Sequence, residues 1–296
     1  MLKKFLKKAY NLCSEMMESW GAIFSSICFS SFYSAITIGS LKKRNHKEKC
    51  YILGNGPALN DALNDIKSSH DISLFAVNMM INTDAFFNLK PNNYIIADSG
   101  MWREENVLRS KGTKLYENLE NAKRSFMNNL KKVDWDMNFF VPNDCPSKKF
   151  ADTSPNVHII RYNRTPVDGW RWLRHCLYSA GLGMPKPVNV VNAAIYCAIL
   201  SGYKEIDLFG VNHSWMLDFR VDDQNRIYTK DTHFYKGEEE RIFYKKGQLE
   251  TSLRSMADAF KSHTMLNEFA QSKGIHIYNC TIHSFIDAYD FKKYED

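Results

Sequence analysis

The chain lacks several of the signatures that would settle its chemistry at a glance. Its seven cysteines are scattered, odd in number and contain no CxxC pair, which excludes a disulfide framework and a cysteine-based zinc site and favours a reducing compartment. There is no P-loop lysine and no full GxGxxG. No DxD pair stands at a strand end, and Asp222-Asp223 lies in an expected turn with Gln224-Asn225, so convergent carboxylates for a divalent metal are not expected. Low-complexity tracts and internal repeats are missing too. With 44% hydrophobic residues and 14% aromatics, global disorder is excluded and a substantial core is expected. A net charge of +6 is too modest for a nucleic-acid binder and fits an anionic surface or substrate.

What is present falls into two parts. Residues 1–49 open with Lys3, Lys4, Lys7 and Lys8 and close with Lys42, Lys43, Arg44, Lys47 and Lys49. Between Glu18 and Lys42 there is no charge, a length that would cross a bilayer, yet six serines between Ser25 and Ser40 weaken it as a span. No clean small-residue cleavage site marks a secretory signal. Three readings stay open: a helix packed on the domain, a span, or a helix in the membrane interface with lysines on anionic headgroups. If the segment spans, the stronger basic flank on its C-terminal side keeps the globular part cytoplasmic; the expected location is cytoplasmic, peripheral on the cytoplasmic face of the inner membrane.

Residues 50–296 read as one α/β domain. Short apolar runs at Cys50–Leu53, Leu74–Val77, Tyr94–Ala97 and Ile206–Phe209 are expected strands, and each ends in a polar or glycine-rich turn. The first runs into Gly54-Asn55-Gly56-Pro57-Ala58-Leu59. Glycine permits close backbone approach, proline suits a helix's first turn, and the amides of Ala58–Asp61 would face an anion. The next two strands end at Asn78 and Asp98. In a parallel sheet strand ends converge, so Asn55, Asn78 and Asp98 point to one nucleotide pocket, although each singly fits a loop start or cap.

The middle of the chain, 101–187, reads as a variable acceptor or lid region. It holds a charged helical stretch over Arg103–Val133, short strands at Phe139–Val141 and Val157–Ile160, and an aromatic-cationic segment Gly169–His175. Val188–Ser201 fits a buried helix with Asn189 and Asn192 at its start, placed for capping or ligand contact. The richest rim follows the fourth run: Gly210, Val211, Asn212, His213, Ser214, Trp215 and Asp218, with Thr232-His233-Phe234-Tyr235 about 20 residues later. His175, His263, His276 and His283 carry no expected role.

GNGPAL (54–59), Asn78, the helix-Gly-Tyr-Lys-Glu-Ile block (192–206), the GVNHSW rim and GIHIYNC (274–280) occur in that order over roughly a third of the chain. Together they resemble bacterial sialyltransferases that build surface glycans from CMP-activated sialic acid. They are equally similar to a related group of pterin-pyrophosphokinase-like and flagellin-glycosylation-factor domains. The resemblance implies a Rossmann-like (GT-A-variant), mostly parallel twisted sheet with helices on both faces, preceded by the basic and apolar helical segment.

It also implies a metal-independent inverting glycosyltransferase with a CMP-linked sugar donor, no resident cofactor, and a glycan or glycolipid acceptor. The nucleotide would be held by Gly54, Asn55, Gly56, Pro57, Asn78, Asp98, Asn192, Gly210, Val211, Asn212 and Ser214. His233 is the first choice for general base and His213 the second, since imidazole titrates near neutrality. The chain departs from the family in two ways. The family histidine lies nearer the final helix than His233, and Ser214 and Trp215 stand where a tyrosine is expected, leaving phosphate stabilisation to Arg220, Tyr228 or Tyr235. A Mg²⁺-dependent pyrophosphokinase and a non-catalytic nucleotide-binding protein are the alternatives; a homo-oligomer is compatible with all three.

Overall fold

The computed structural model describes residues 2–67, 72–102, 114–230 and 241–293. Two helices, α1 (Leu2–Phe29) and α2 (Phe32–Arg44), meet at a bend of 94° and precede the sheet. There follow β1 (Lys49–Leu53), α3 (Leu59–Lys67), β2 (Ser73–Val77), α4 (Asp84–Leu89), β3 (Asn93–Ile95), α5 (Lys114–Lys132), β4 (Met137–Pro142) and β5 (Val157–Tyr162). The second half comprises α6 (Arg171–Ser179), α7 (Val190–Leu200), β6 (Glu205–Phe209), β7 (Arg220–Val221), β8 (Ile227–Lys230), β9 (Arg241–Phe243), α8 (Gln248–Ser272), β10 (His276–Asn279) and β11 (Asp290–Phe291).

Eight strands form one sheet in the order β11-β10-β6-β1-β2-β3-β4-β5, and every pairing in it is parallel. Strands β7, β8 and β9 make a separate antiparallel sheet. The chain winds outward from β1 to β5 in one direction, then returns beside β1 and winds through β6, β10 and β11 in the other. Strand order therefore reverses between β1 and β6, the position at which open α/β sheets form a ligand crevice.

Alternation along each strand explains the two cores. Cys50, Ile52, Phe75, Val77 and Ile95 point to the side covered by α7 and α8. Tyr51, Leu53, Leu74, Ala76 and Tyr94 point to the side covered by α3, α4 and α5. Strands buried on both faces read as continuous apolar runs, which is why the sequence exposes them. Helix α7 is buried from Val190 to Ile199 because it lies between the sheet and both α2 and α8.

The strands expected at Cys50, Leu74, Tyr94, Phe139, Val157 and Ile206 all form. Tyr94–Ala97 needs correction: β3 stops at Ile95, and the Ile96 amide goes on to Phe140 O. Residues 101–187, expected as a variable acceptor or lid region, supply β4 and β5 to the main sheet. Residues 103–113 of the expected Arg103–Val133 helix lie outside the described residues.

Candidate functional site

A cavity of 660 Å³ opens beyond the carboxyl ends of the central strands, where the order reverses. Its floor is a pair of interlocked turns. The Gly54 amide donates to Phe209 O (2.7 Å) and the Gly56 amide to Gly210 O (2.8 Å). A Cβ on Gly54 would lie 2.4 Å from Gly210 O, and one on Gly56 would lie 2.3 Å from Asn212 Oδ1. The glycines are thus required by the crossing of two backbones. The amides expected to face an anion are also occupied: Ala58 N donates to Asn212 Oδ1 (3.3 Å), Leu59 N to Gly56 O and Asn60 N to Pro57 O.

The strand-end asparagines stitch each tip to another. Asn55 Nδ2 donates to Val77 O at the end of β2 (3.2 Å), while its Oδ1 is buried without a partner among the described residues. Asn78, in the left-handed region at φ 44°, accepts the Ala97 amide on Oδ1 (3.3 Å). Asp98 accepts the Gly100 amide (2.8 Å), turning the chain after β3.

His213 is buried, also left-handed (φ 48°), and packed at a tilt of 35° against Trp215 with ring centroids 4.3 Å apart. Its tautomer follows from its neighbours. Asn189 caps α7, its Oδ1 accepting the Asn192 amide (3.0 Å), which leaves Asn189 Nδ2 to donate to His213 Nε2 (3.2 Å). Nε2 is therefore an acceptor, His263 Nε2 at 3.1 Å must carry hydrogen, and His263 Nδ1 accepts from the Tyr289 hydroxyl (3.0 Å). His213 is left with its proton on Nδ1. Burial drives its pKa down to about 3; burial, then the neighbouring His213, pushes His263 well below the ordinary histidine value.

Arg164, two residues beyond β5, lines the cavity as well. Its Nε and Nη2 bind both oxygens of Asp144 (2.8 and 2.6 Å), Nη1 donates to Ala97 O (3.1 Å), and the guanidinium lies 5.5 Å from the Trp102 ring centroid. Among the described residues two of its five N–H groups have no acceptor.

Of the residues expected to act here, Asn55, Gly56, Pro57, Asn78, Asp98, Gly210, Asn212, His213 and Ser214 line the cavity. Gly54 and Val211 do not; Gly54 lies in the turn crossing, and the buried Val211 donates its amide to Thr281 Oγ1. Asn192 is wholly buried and does not line the cavity, and neither of its side-chain polar atoms is hydrogen-bonded among the described residues. Arg220 is exposed on β7, its guanidinium turned back onto Leu217 O and Phe219 O. His233 and Tyr235 lie outside the described residues; Thr229 and Tyr244, on either side of them in sequence, both line the cavity. Sequence reasoning missed Arg164, although it stands beyond a strand end as Asn55 and Asn78 do. It also gave no role to His263, which bonds His213 from the middle of α8. Among the described residues, no three His, Cys, Asp or Glu side chains group as a metal would require.

No family model matches the chain, and no curated protein matches it. Among solved structures it is similar to the sialyltransferase CstII from Campylobacter jejuni in complex with cytidine-5'-monophosphate. The TM-score is 0.39 at 16% identity, over 83% of this chain and 85% of that one. The same sialyltransferase in complex with CMP-3FNeuAc gives 0.37 and 15%, over 82% and 85%. At that distance the chemistry has to come from this chain's own residues.

Proposed function

We propose that the protein is a metal-independent, inverting glycosyltransferase whose donor is CMP-sialic acid or a similar CMP-sugar. Its acceptor in this reading is a bacterial surface polysaccharide or lipooligosaccharide. The observation that carries the reading is one of position. A polar cleft sits at the reversal of strand order, lined by Asn55, Asn78, Asn212 and Arg164. Amides suit a base and ribose, and a guanidinium suits a phosphate.

In this reading His233 takes the proton of the acceptor hydroxyl. The acceptor oxygen attacks the anomeric carbon opposite the phosphate, and the carbon–oxygen bond to phosphate breaks with its electron pair leaving on CMP. The developing phosphate charge is met by the free N–H groups of Arg164, the Nδ1–H of His213 and the Ser214 hydroxyl. His213 serves as a donor and not as the second-choice base. Its acceptor nitrogen is already occupied, and an imidazole with a pKa near 3 holds an acceptor's proton too weakly.

The test is a thermal-shift panel with CMP, CDP, UDP, GDP and ATP, followed by transfer from CMP-sialic acid with and without EDTA. A nucleotide at a hundred times its Kd adds about 2.7 kcal/mol. Stabilisation by CMP and EDTA-resistant transfer are expected. A shift with ATP alone, or Mg²⁺-dependent diphosphate transfer, would replace this reading with the pyrophosphokinase, and no shift with any nucleotide would end it.

A further inference from the structure

Helix α1 is amphipathic the wrong way round for a protein surrounded by water. On α1 the side against the domain is small: Ser19, Ala22 and Ser26 are buried, at helical spacing. Ser19 Oγ accepts the Trp170 amide (2.9 Å), and a Cβ on Gly169 would lie 2.4 Å from that oxygen. The large apolar side chains face out, with Tyr10, Met17, Trp20, Phe24 and Ile27 between 64% and 74% exposed. Helix α2 buries Ile38 and Leu41 as well as Ser34 on its inner face, yet it too leaves large apolar side chains outward, with Tyr33 73% and Ile36 72% exposed. Surface helices of globular proteins turn their apolar stripe inward; small residues at the protein contact with bulky apolar ones outward is the arrangement found in lipid.

Charge selects the occupant. Residues 1–47 hold eight basic and two acidic side chains and so account for the chain's whole net charge of +6. Lys3, Lys4, Lys7 and Lys8 are exposed at one end of the apolar face, and Lys42 and Lys43 at the other. A second copy docked on this face would set lysine against lysine whichever way it ran. Anionic headgroups match both ends. Trp172, 64% exposed on α6 where that helix packs on α1, adds an aromatic of the kind that sits at headgroup depth.

No single described helix is long and apolar enough to cross a membrane; α1 and α2 reach that length and composition only together, as a pair bent by 94°. The elbow is also fastened to the domain: Ser31 N donates to Asn163 Oδ1, Asn163 Nδ2 donates back to Ser31 O (2.8 Å each), and Asn143 Nδ2 donates to Phe29 O (3.0 Å). We propose that the outward face of α1 and α2 docks on the surface of an anionic lipid bilayer, with Trp20, Phe24, Ile27 and Ile36 entering the headgroup–acyl boundary and the lysines contacting the headgroups. This inference stands independently of the transferase reading.

The experiment is flotation of the full-length protein with phosphatidylcholine vesicles and with vesicles containing about one-third phosphatidylglycerol. The wild type is expected to float with the anionic vesicles at least ten times more than with the neutral ones, less so at high salt. The variant W20Q/F24Q/I36Q, altered only at exposed positions, should lose at least tenfold while keeping its thermal melt. Three results would overturn the proposal. One is no flotation of the wild type, another is undiminished flotation of the variant. The third is a wild-type dimer that the same substitutions abolish, in place of vesicle binding.

Discussion

The Nε2 atoms of His213 and His263 face each other at 3.1 Å, inside a buried line that runs from Asn189 to Tyr289. Both imidazoles are neutral in the folded protein, so their folded pKa values lie below the unfolded value of about 6.5. The sign follows directly. Above that pH neither state gains a proton at these positions, and the full stability is present. As pH falls below it, the unfolded chain binds protons that the native one refuses. Stability then drops by up to about 1.4 kcal/mol per pH unit for each imidazole, until the folded pKa is reached, about 3 for His213. Urea unfolding between pH 7 and 5 should show this decline. In His263→Phe the slope should be shallower by about one imidazole's share, whatever that variant does to absolute stability; an equal slope would refute the buried neutral pair.

The interlocked turns predict a contrast between two glycines. Gly56→Ala places a methyl 2.3 Å from Asn212 Oδ1 and 2.6 Å from Gly210 O, and should cost about 1–3 kcal/mol in urea unfolding. Gly21→Ala, within α1 and with nothing within 4 Å of its Cβ, should be neutral or stabilising by about 0.5–1 kcal/mol. Equal effects would mean that the crossing of the two turns is not what fixes the glycine.

Asn78 separates backbone from side chain. Its φ of 44° is free for glycine and strained for alanine, by about 1 kcal/mol. Asn78→Gly and Asn78→Ala lose the same bond to the Ala97 amide, so the alanine variant should melt lower. Calorimetric CMP affinity should fall equally in both if the amide contacts nucleotide. A loss confined to the alanine variant would assign Asn78 to the turn alone.

Arg164→Lys keeps the charge but cannot reproduce the two-pronged contact with Asp144. Loss of a charge-assisted hydrogen bond of about 1.5–3 kcal/mol should weaken CMP binding on the order of 10- to 100-fold. Cytidine, which lacks the phosphate, should bind wild type and variant alike. Parallel losses for both ligands would remove Arg164 from the phosphate.

The sheet was legible because each central strand is a short apolar run closed by glycine or asparagine, and parallel strands buried on two faces leave that trace. Asn55, Asn78 and Asn212 were legible as strand endings for the same reason. What escaped is set by strand order and not by local pattern. Asp144 and Arg164 meet because β4 and β5 are neighbours. His263 carries no local mark in the middle of α8, yet packing of that helix brings it onto His213. Arg220 looked like a rim cation and is turned back on its own loop, whereas among the described residues the cation lining the cleft is Arg164. The inverted face of α1 was hidden because a serine-rich apolar stretch has no period that says which side is covered.

Ser31 and Asn163, joined at the elbow, are 132 positions apart in the chain. With synthesis at about 5–20 residues per second, the first helices wait on the order of ten seconds before Asn163 has even been made. Helix α2 packs on β5, which ends at Tyr162, so the sheet cannot supply that platform sooner. For that interval α1 and α2, with large apolar side chains on their outward faces and lysines at both ends, have surroundings other than the domain they will later rest upon.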